Sequence, residues 1–288
     1  MPSTRQLKGR IRSVKSTKQI TKAMQMVAAS KMRRAQEAQK ATVDYTQAAN
    51  ELLTYLAGQG ATRNHPLFMT RDVRRRLLIV ITSDKGLAGA YNSNVLKRYL
   101  SEIRTDRDAG ISTQTITVGR KASQFSTRLK DVEVRGTYDD MPDEVEGSSF
   151  HSIVSTAAEL YRNEEVDAVD IVYTEFVSSL TQRAKIQRIL PAGYDETDVR
   201  DSIRTASYEP SAEAVLEGVA YRLVGAQIYQ ALLDGRASEH SMRMVAMKNA
   251  TDNASDLIDD LTLAMNKARQ AAITQELAEI SGGAEAMK

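Results

Sequence analysis

Cysteine is absent from the 288 residues, which excludes disulfides, iron–sulfur clusters, thiolate zinc sites and a cysteine nucleophile. Histidine is nearly absent: His65, His151 and His240 are all there are. They share no spacing, so neither a His-based metal site nor an imidazole relay has the residues it needs. Long hydrophobic runs are missing too. The longest strongly apolar run, residues 77–81 (LLIVI), has five residues where a spanning helix takes about 20, so no segment is expected to cross a bilayer. With 42% apolar and 26% charged residues, the chain is neither a disordered polyampholyte nor a membrane bundle. At roughly 100–200 residues per domain it has room for one to three domains.

Proline is scarce and therefore informative. Pro2, Pro66, Pro142, Pro191 and Pro210 are the full set, so only Gly9 interrupts residues 3–57, and only Gly218, Gly225 and Gly235 interrupt 211–281. An interior glycine costs a helix about 1 kcal/mol against alanine and is tolerable. In the first stretch Leu7, Ile11, Val14, Ile20, Met24, Val27, Met32, Ala35, Leu52 and Leu56 recur at threes and fours. In the second, Val215, Val219, Leu223, Ile228, Leu232, Met242, Val245, Leu257, Leu261, Ala264 and Ala268 do the same. Both patterns predict long helices, about 80 and 105 Å at 1.5 Å per residue, which calls for a rod.

The middle reads differently. Residues 77–82, 113–118, 132–136, 169–174 and 185–190 are short β-rich runs, and 93–107, 120–130 and 148–165 are helix-like. That alternation belongs to a doubly wound, Rossmann-like α/β domain. The predicted organisation is an N-terminal helix over 1–57, a linker over 58–74, the α/β domain over 75–195, a second linker over 196–210 and a C-terminal helix over 211–288. The two terminal helices form an antiparallel coiled coil into which the α/β domain is inserted.

Charge is sorted between the ends. Residues 1–57 hold eleven Lys and Arg against Glu37, Asp44 and Glu51, whereas 211–288 hold seven bases and eleven acids. If both helices are anchored at the α/β domain, antiparallel partners have numbers adding to about 268. Lys8, Arg10, Arg12 and Lys15 then face a region carrying Asp252, Asp256, Asp259 and Asp260, and flanking opposite charges set the register of coiled coils. Beyond about residue 265 the first helix has run out. The remaining tail is still apolar at Ala268, Ala271, Ala272, Ile273, Leu277 and Ile280, so it needs something else around it.

Other features invite chemistry. The loop 82–94, TSDKGLAGAYNSN, follows the first strand, where a doubly wound fold binds its ligand. It has neither the three glycines of a dinucleotide fingerprint nor the ending of a phosphate loop; a structural turn, with Ser93 or Asn94 capping the next helix, is the plainer reading. The basic N-terminal face suits nucleic acid or an acidic membrane surface, although its first 44 residues carry no aromatic ring to stack on a base. The methionines at 24, 26, 32, 242, 244, 247 and 265 read as adaptable core filler. Glu276 and Glu279 share a helix face, with no nucleophile or base near them in the sequence.

Residues 20–36 (ITKAMQMVAASKMRRAQ) closely resemble the N-terminal helix of the gamma subunits of F-type ATP synthases. Tyr208-Glu209-Pro210, residues 242–253 (MRMVAMKNATDN) and residues 266–277 (NKARQAAITQEL) resemble the C-terminal helix of that family, and the end of the chain, with Ile273, Thr274, Gln275, Glu276, Glu279, Gly283, Ala284 and Ala286, fits position by position. The resemblance spans the whole chain and implies a central rotor shaft. The rod would stand inside a ring of three alpha and three beta subunits, while the α/β domain and rod base form a foot with epsilon on the membrane rotor ring. Ion flow would turn the shaft and drive the nucleotide sites of the beta subunits. The resemblance further assigns stator contact to Lys22, Met24, Arg243, Arg269, Gln270, Thr274 and Glu276, and foot contact to Tyr208 and Glu209. It implies no catalytic residue, cofactor or metal of the chain's own and no nucleic acid, with the chain held peripherally at the cytoplasmic face of a bacterial membrane through its partners.

This chain departs from the family at residues 86–90, GLAGA in place of the usual GLCGG, and it lacks the cysteine-bearing redox segment of plastid members, which points to a bacterial-type subunit. Two readings from other classes stand beside it: a basic coiled-coil adaptor for nucleic acid or acidic membrane, and a small-molecule enzyme built on the α/β domain.

Overall fold

The computed structural model describes residues 3–58, 60, 62, 63, 65–130, 132–142, 147–193, 198–200, 203, 209 and 211–286, the side chains of 43–46, 212, 213 and 282–286 aside. Helix α1 runs Thr4–Gly58 from a reciprocal cap: the Ser3 N–H donates to Gln6 Oε1 at 3.1 Å, and the Gln6 N–H donates to Ser3 Oγ at 3.3 Å. Two donors that the first helical turn leaves open are thereby satisfied. A short 3-10 turn at Pro66–Phe68 follows. The α/β part comprises β1 (Arg75–Ile81), α2 (Tyr91–Asp108), β2 (Ser112–Val118), α3 (Arg120–Ser126), β3 (Glu133–Tyr138), α4 (Ser148–Arg162), β4 (Ala168–Phe176) and β5 (Gln182–Leu190). Helix α5, Ala212–Ala286, starts where Ser211 Oγ accepts the Ala214 N–H at 3.2 Å.

The five predicted strands and the three helices between them are all present. Their sheet has the order β3-β2-β1-β4-β5, with β1 to β4 parallel and β5 antiparallel to β4. β1 shows how alternation divides the core. Leu78 and Val80 face a cluster with Val95 and Tyr99 of α2 and Ala122 of α3. Leu77, Ile79 and Ile81 face the other way, onto Ile153 and Ala157 of α4 and Val224, Ile228 and Leu232 of α5. A third cluster joins Leu53 and Leu56 of α1 to Leu216 and Leu223 of α5.

The chain packs as two compact units, residues 30–242 and residues 1–29 with 243–288. The division falls inside both long helices because their inner stretches are built into the core of the sheet. Gly235 marks the closest approach: a Cβ there would meet Ile81 Cγ2 at 3.1 Å and the Tyr91 hydroxyl at 3.2 Å. Across the start of the sheet, Arg76 forms ion pairs with Asp170, with Asp106 at 2.7 Å and with Glu102 at 3.2 Å. This buried guanidinium has an acid on each side, the condition under which a charge can remain inside a protein.

Candidate interaction surface

In the unit made by 1–29 and 243–288 the two helices meet along one seam. On α1, Leu7, Ile11, Val14, Lys18, Thr21, Gln25 and Ala28 are buried or half-buried, alternately four and three residues apart. Met247, Thr251, Ala254, Ile258, Leu261, Met265 and Ala268 do the same on α5. This is the heptad spacing of a coiled coil. Register is fixed where Thr21 and Thr251 join hydroxyl to hydroxyl at 2.8 Å, so partners have numbers adding to 272. The observed sum lies four residues, one helical turn, from the expected value of about 268. By that register Val14 stands level with Ile258 and Met24 with Lys248, each within a turn of Ala254 and Met244, where a sum of about 268 places them.

The seam corrects the apolar pattern read from the sequence. The spacing set by Leu7, Ile11 and Val14 carries Lys18, Thr21 and Gln25 inward, polar though they are. Ile20, Met26 and Val27 are left 55–59% exposed. Lys22, between them in sequence, is likewise exposed. A second correction concerns charge. Among the described residues, none of Lys8, Arg10, Arg12 and Lys15 forms an ion pair with Asp252, Asp256, Asp259 or Asp260; these side chains lie outside the seam and face solvent, so charge pairing does not set this register.

From 269 onward no residue of α1 stands opposite α5. Every residue from 269 to 281 is exposed, including Ile273 at 50%, Leu277 at 62% and Ile280 at 70%. Arg269 and Glu276, seven apart, share one face of this stretch. Gln270 and Thr274, four apart, share another, and Thr274 Oγ1 donates to the Gln270 carbonyl at 2.9 Å. Of the remaining residues named from the sequence, Lys22 is exposed, Met24 and Arg243 are half-buried and Glu209 is exposed. Tyr208 lies outside the described residues.

The loop after β1 is tied down by hydrogen bonds to the ends of the neighbouring strands. Asp84 Oδ1 accepts the backbone N–H groups of Arg120 and Asp140, each at 2.9 Å, and Thr82 Oγ1 accepts the Ala122 N–H at 2.8 Å. Gly119, at φ 89°, packs so closely that a Cβ would lie 2.3 Å from the Thr82 carbonyl oxygen. Asp84 thereby ties the end of β1 to the ends of β2 and β3. The expected capping by Ser93 or Asn94 is also overturned: α2 begins two residues earlier, at Tyr91, with no side-chain cap. Asn92 turns back instead, its amide donating to Ser83 Oγ at 2.8 Å and its carbonyl oxygen accepting the Ser83 N–H at 3.0 Å.

One pairing had no signal in the sequence. Gln39 Nε2 of α1 donates to Asp234 Oδ1 of α5 at 2.7 Å. Asp234 is 5% exposed, and burial, reinforced by the nearby Glu175, pushes its carboxyl up to about 6 against the Phe176 N–H, Lys185 and Gln39, which favour the charge.

Residues 3–287 match the family described as ATP synthase. The chain is 41% identical over 288 residues to the ATP synthase gamma chain of Stenotrophomonas maltophilia, covering all of both chains. It is 42% identical over 294 residues to that of Heliobacterium modesticaldum, again with full coverage of both. The chain belongs to the ATP synthase gamma-chain family. Among solved structures, a chain of the Euglena gracilis mitochondrial ATP synthase (OSCP/F1/c-ring, rotational state 3) is 24% identical at a TM-score of 0.67, the match covering 99% of this chain and 94% of that one. A chain of the Tetrahymena thermophila mitochondrial ATP synthase central stalk and c-ring is also 24% identical, at a TM-score of 0.59, covering 80% and 99%. Those two likenesses are of fold. Nothing in these relatives favours a nucleic-acid adaptor.

Proposed function

We propose that this gamma chain is the central-stalk rotor shaft of an F-type ATP synthase, transmitting ion-driven rotation of a membrane ring to the ATP-forming sites of beta subunits. The observation that carries the reading is the solvent-facing tip of α5 beyond the end of the seam, within a chain that matches gamma chains along its whole length. An isolated apolar helix face is stable only when something covers it. Three alpha and three beta subunits around the tip would do so. Lys22, Met24, Arg243, Arg269, Gln270, Thr274 and Glu276 are the proposed stator contacts, and Tyr208 and Glu209 the proposed contacts to epsilon and the ring. Among the described residues no helix is long and apolar enough to cross a membrane, so attachment at the cytoplasmic face would run through the partners.

A shaft must be stiff where it carries torque and weakly adhesive where it turns. The heptad seam supplies stiffness. Small residues at Ala268, Ala271 and Ala272 limit the depth of any single apolar contact, which at about 25 cal/mol per Å² would otherwise trap one angular position.

The test is native purification of the tagged chain from its own cells, with mass spectrometry of the co-purifying proteins and single-molecule observation of a probe fixed to the α/β part. Recovery of alpha, beta, epsilon and ring subunits, with ATP-driven rotation of the probe, is the expected result. The chain alone should show no ATPase turnover. A stationary probe on a hydrolysing complex, or turnover by the chain alone, would overturn the proposal.

A further inference from the structure

Beside the sheet, α4 and α5, with Thr42 of α1, line an open pocket that a shaft does not need. It has a volume of about 240 Å³ and is walled by Phe150, Val154, Tyr221, Gly225, Ala226 and Tyr229. The rings are held against one another: Phe150 meets Tyr229 edge to face at 5.7 Å and lies 5.7 Å from His151. Gly225 lines the pocket floor without a side chain. A Cβ there would lie 3.9 Å from Phe150 Cζ and Val154 Cγ1, an ordinary contact, so packing alone does not require glycine. Glycine is a poor helix former beside alanine, so its place here keeps the pocket open at that point.

The rim of the cavity has a sign. Arg222, His151 and Thr42 stand at it, and Arg222 and His151 are exposed. Among the described residues Arg222 forms no ion pair. Glu217, five residues earlier on α5, is committed to His65 at 2.8 Å and to Arg162. An aromatic and aliphatic interior with a guanidinium at its edge is the arrangement that takes an apolar body by burial and an anionic head by a charge-assisted hydrogen bond. A cavity of about 150 Å³ accepts benzene, so this one has room for a fused ring pair or a short acyl chain.

We propose that the pocket between α4 and α5 binds a small anionic amphiphile, its ring or acyl chain seated over Gly225 and its carboxylate or sulfonate on Arg222. The probe is 1-anilinonaphthalene-8-sulfonate, titrated into the full-length chain by fluorescence with octanoate as competitor. One saturable, octanoate-sensitive site is expected. Gly225→Ala should weaken it severalfold and Gly225→Leu abolish it, while any probe bound at the exposed tip of α5 is unaffected by either. Arg222→Glu should weaken it about tenfold, the scale of one lost charge-assisted contact. Circular dichroism identifies a variant that has lost its helices, and Gly225→Ala, whose Cβ fits, keeps the test decisive if Gly225→Leu unfolds. Binding unchanged in Gly225→Ala and Arg222→Glu would overturn the proposal, as would tighter binding of a cationic naphthalene. Loss of the site on assembly into the ATP synthase would show that a neighbouring subunit's side chain fills the cavity, which also overturns it.

Discussion

Thr21 and Thr251 bond to each other across the seam at 2.8 Å, both buried, while Thr251 Oγ1 lies 2.8 Å from the Met247 carbonyl and Thr21 Oγ1 lies 3.1 Å from the Lys18 carbonyl. Two hydroxyls facing each other among apolar neighbours specify alignment more than they add stability. A slip by one turn would replace the pair with Thr21 against Met247 or Ser255 and Thr251 against Thr17 or Gln25, so the mutual hydroxyl bond belongs to this register alone.

This relationship can be tested in a chain without native cysteine. Cysteines at Val14 and Ile258, whose numbers add to 272, should form a disulfide faster than cysteines at Val14 and Ala254, because bridging needs Cβ atoms about 4 Å apart. In the Thr21→Val, Thr251→Val background the preference should shrink while thermal stability holds or rises. A faster Val14–Ala254 pair in the unmodified background would mean that the seam is out by a turn.

Asp234 makes stability depend on pH with a definite sign. Its carboxyl stands at about 6 in the folded chain, above the roughly 3.9 of an unfolded aspartate, so the fold favours the neutral form. The stabilisation is complete below about pH 4 and is lost as pH rises through about 6. Asp234→Asn, which keeps the acceptor for Gln39, should therefore raise unfolding free energy near pH 7.5 by about 2 kcal/mol and leave it little changed at pH 4. Urea titrations at the two pH values read this directly; an equal effect at both would assign the change to packing.

Much of this was legible in the sequence. Five β-rich runs separated by helical segments gave the alternating order of the sheet because apolar strands and proline-free helices are local properties. The tail beyond the end of the first helix was legible by simple counting. What was hidden depended on geometry between distant residues. Ile20 and Val27 look like core by their chemistry, but the heptad set by Leu7, Ile11 and Val14 turns them outward. Gly235 resembles any tolerated glycine until Ile81 and Tyr91 are found against it. The pairing of Gln39 with Asp234 joins residues 195 positions apart, and no periodicity reports that.

Met24 is half-buried next to the exposed Met26 and Val27, so a lysine there can reach solvent without unseating the helix pair. Within the assembled ATP synthase, Met24→Lys should impair coupling more than catalysis, because it places a new charge where beta subunits would pass. Membrane vesicles should retain most ATP hydrolysis while ATP-driven ion pumping falls severalfold. A parallel loss of both in fully assembled complexes would mean that Met24 serves the seam alone.

The tip of α5 carries the sharpest expectation. The helix does not stop at Gly282 and Gly283, as glycines after a helical run often dictate; it continues to Ala286. No α1 residue packs on 269–281, and an isolated helix of that length is marginal in water. Its backbone hydrogen bonds should open readily in the free chain. In the complex the face of Ile273, Leu277 and Ile280 would be covered, and covering it stabilises the helical form by mass action. Hydrogen exchange should therefore find 269–281 weakly protected in the free chain and strongly protected after assembly, with β1 and β4 protected in both. Strong protection of the tip in the free chain would mean that the segment folds onto another part of the molecule, and the role of α5 as an exposed shaft end would fall with it.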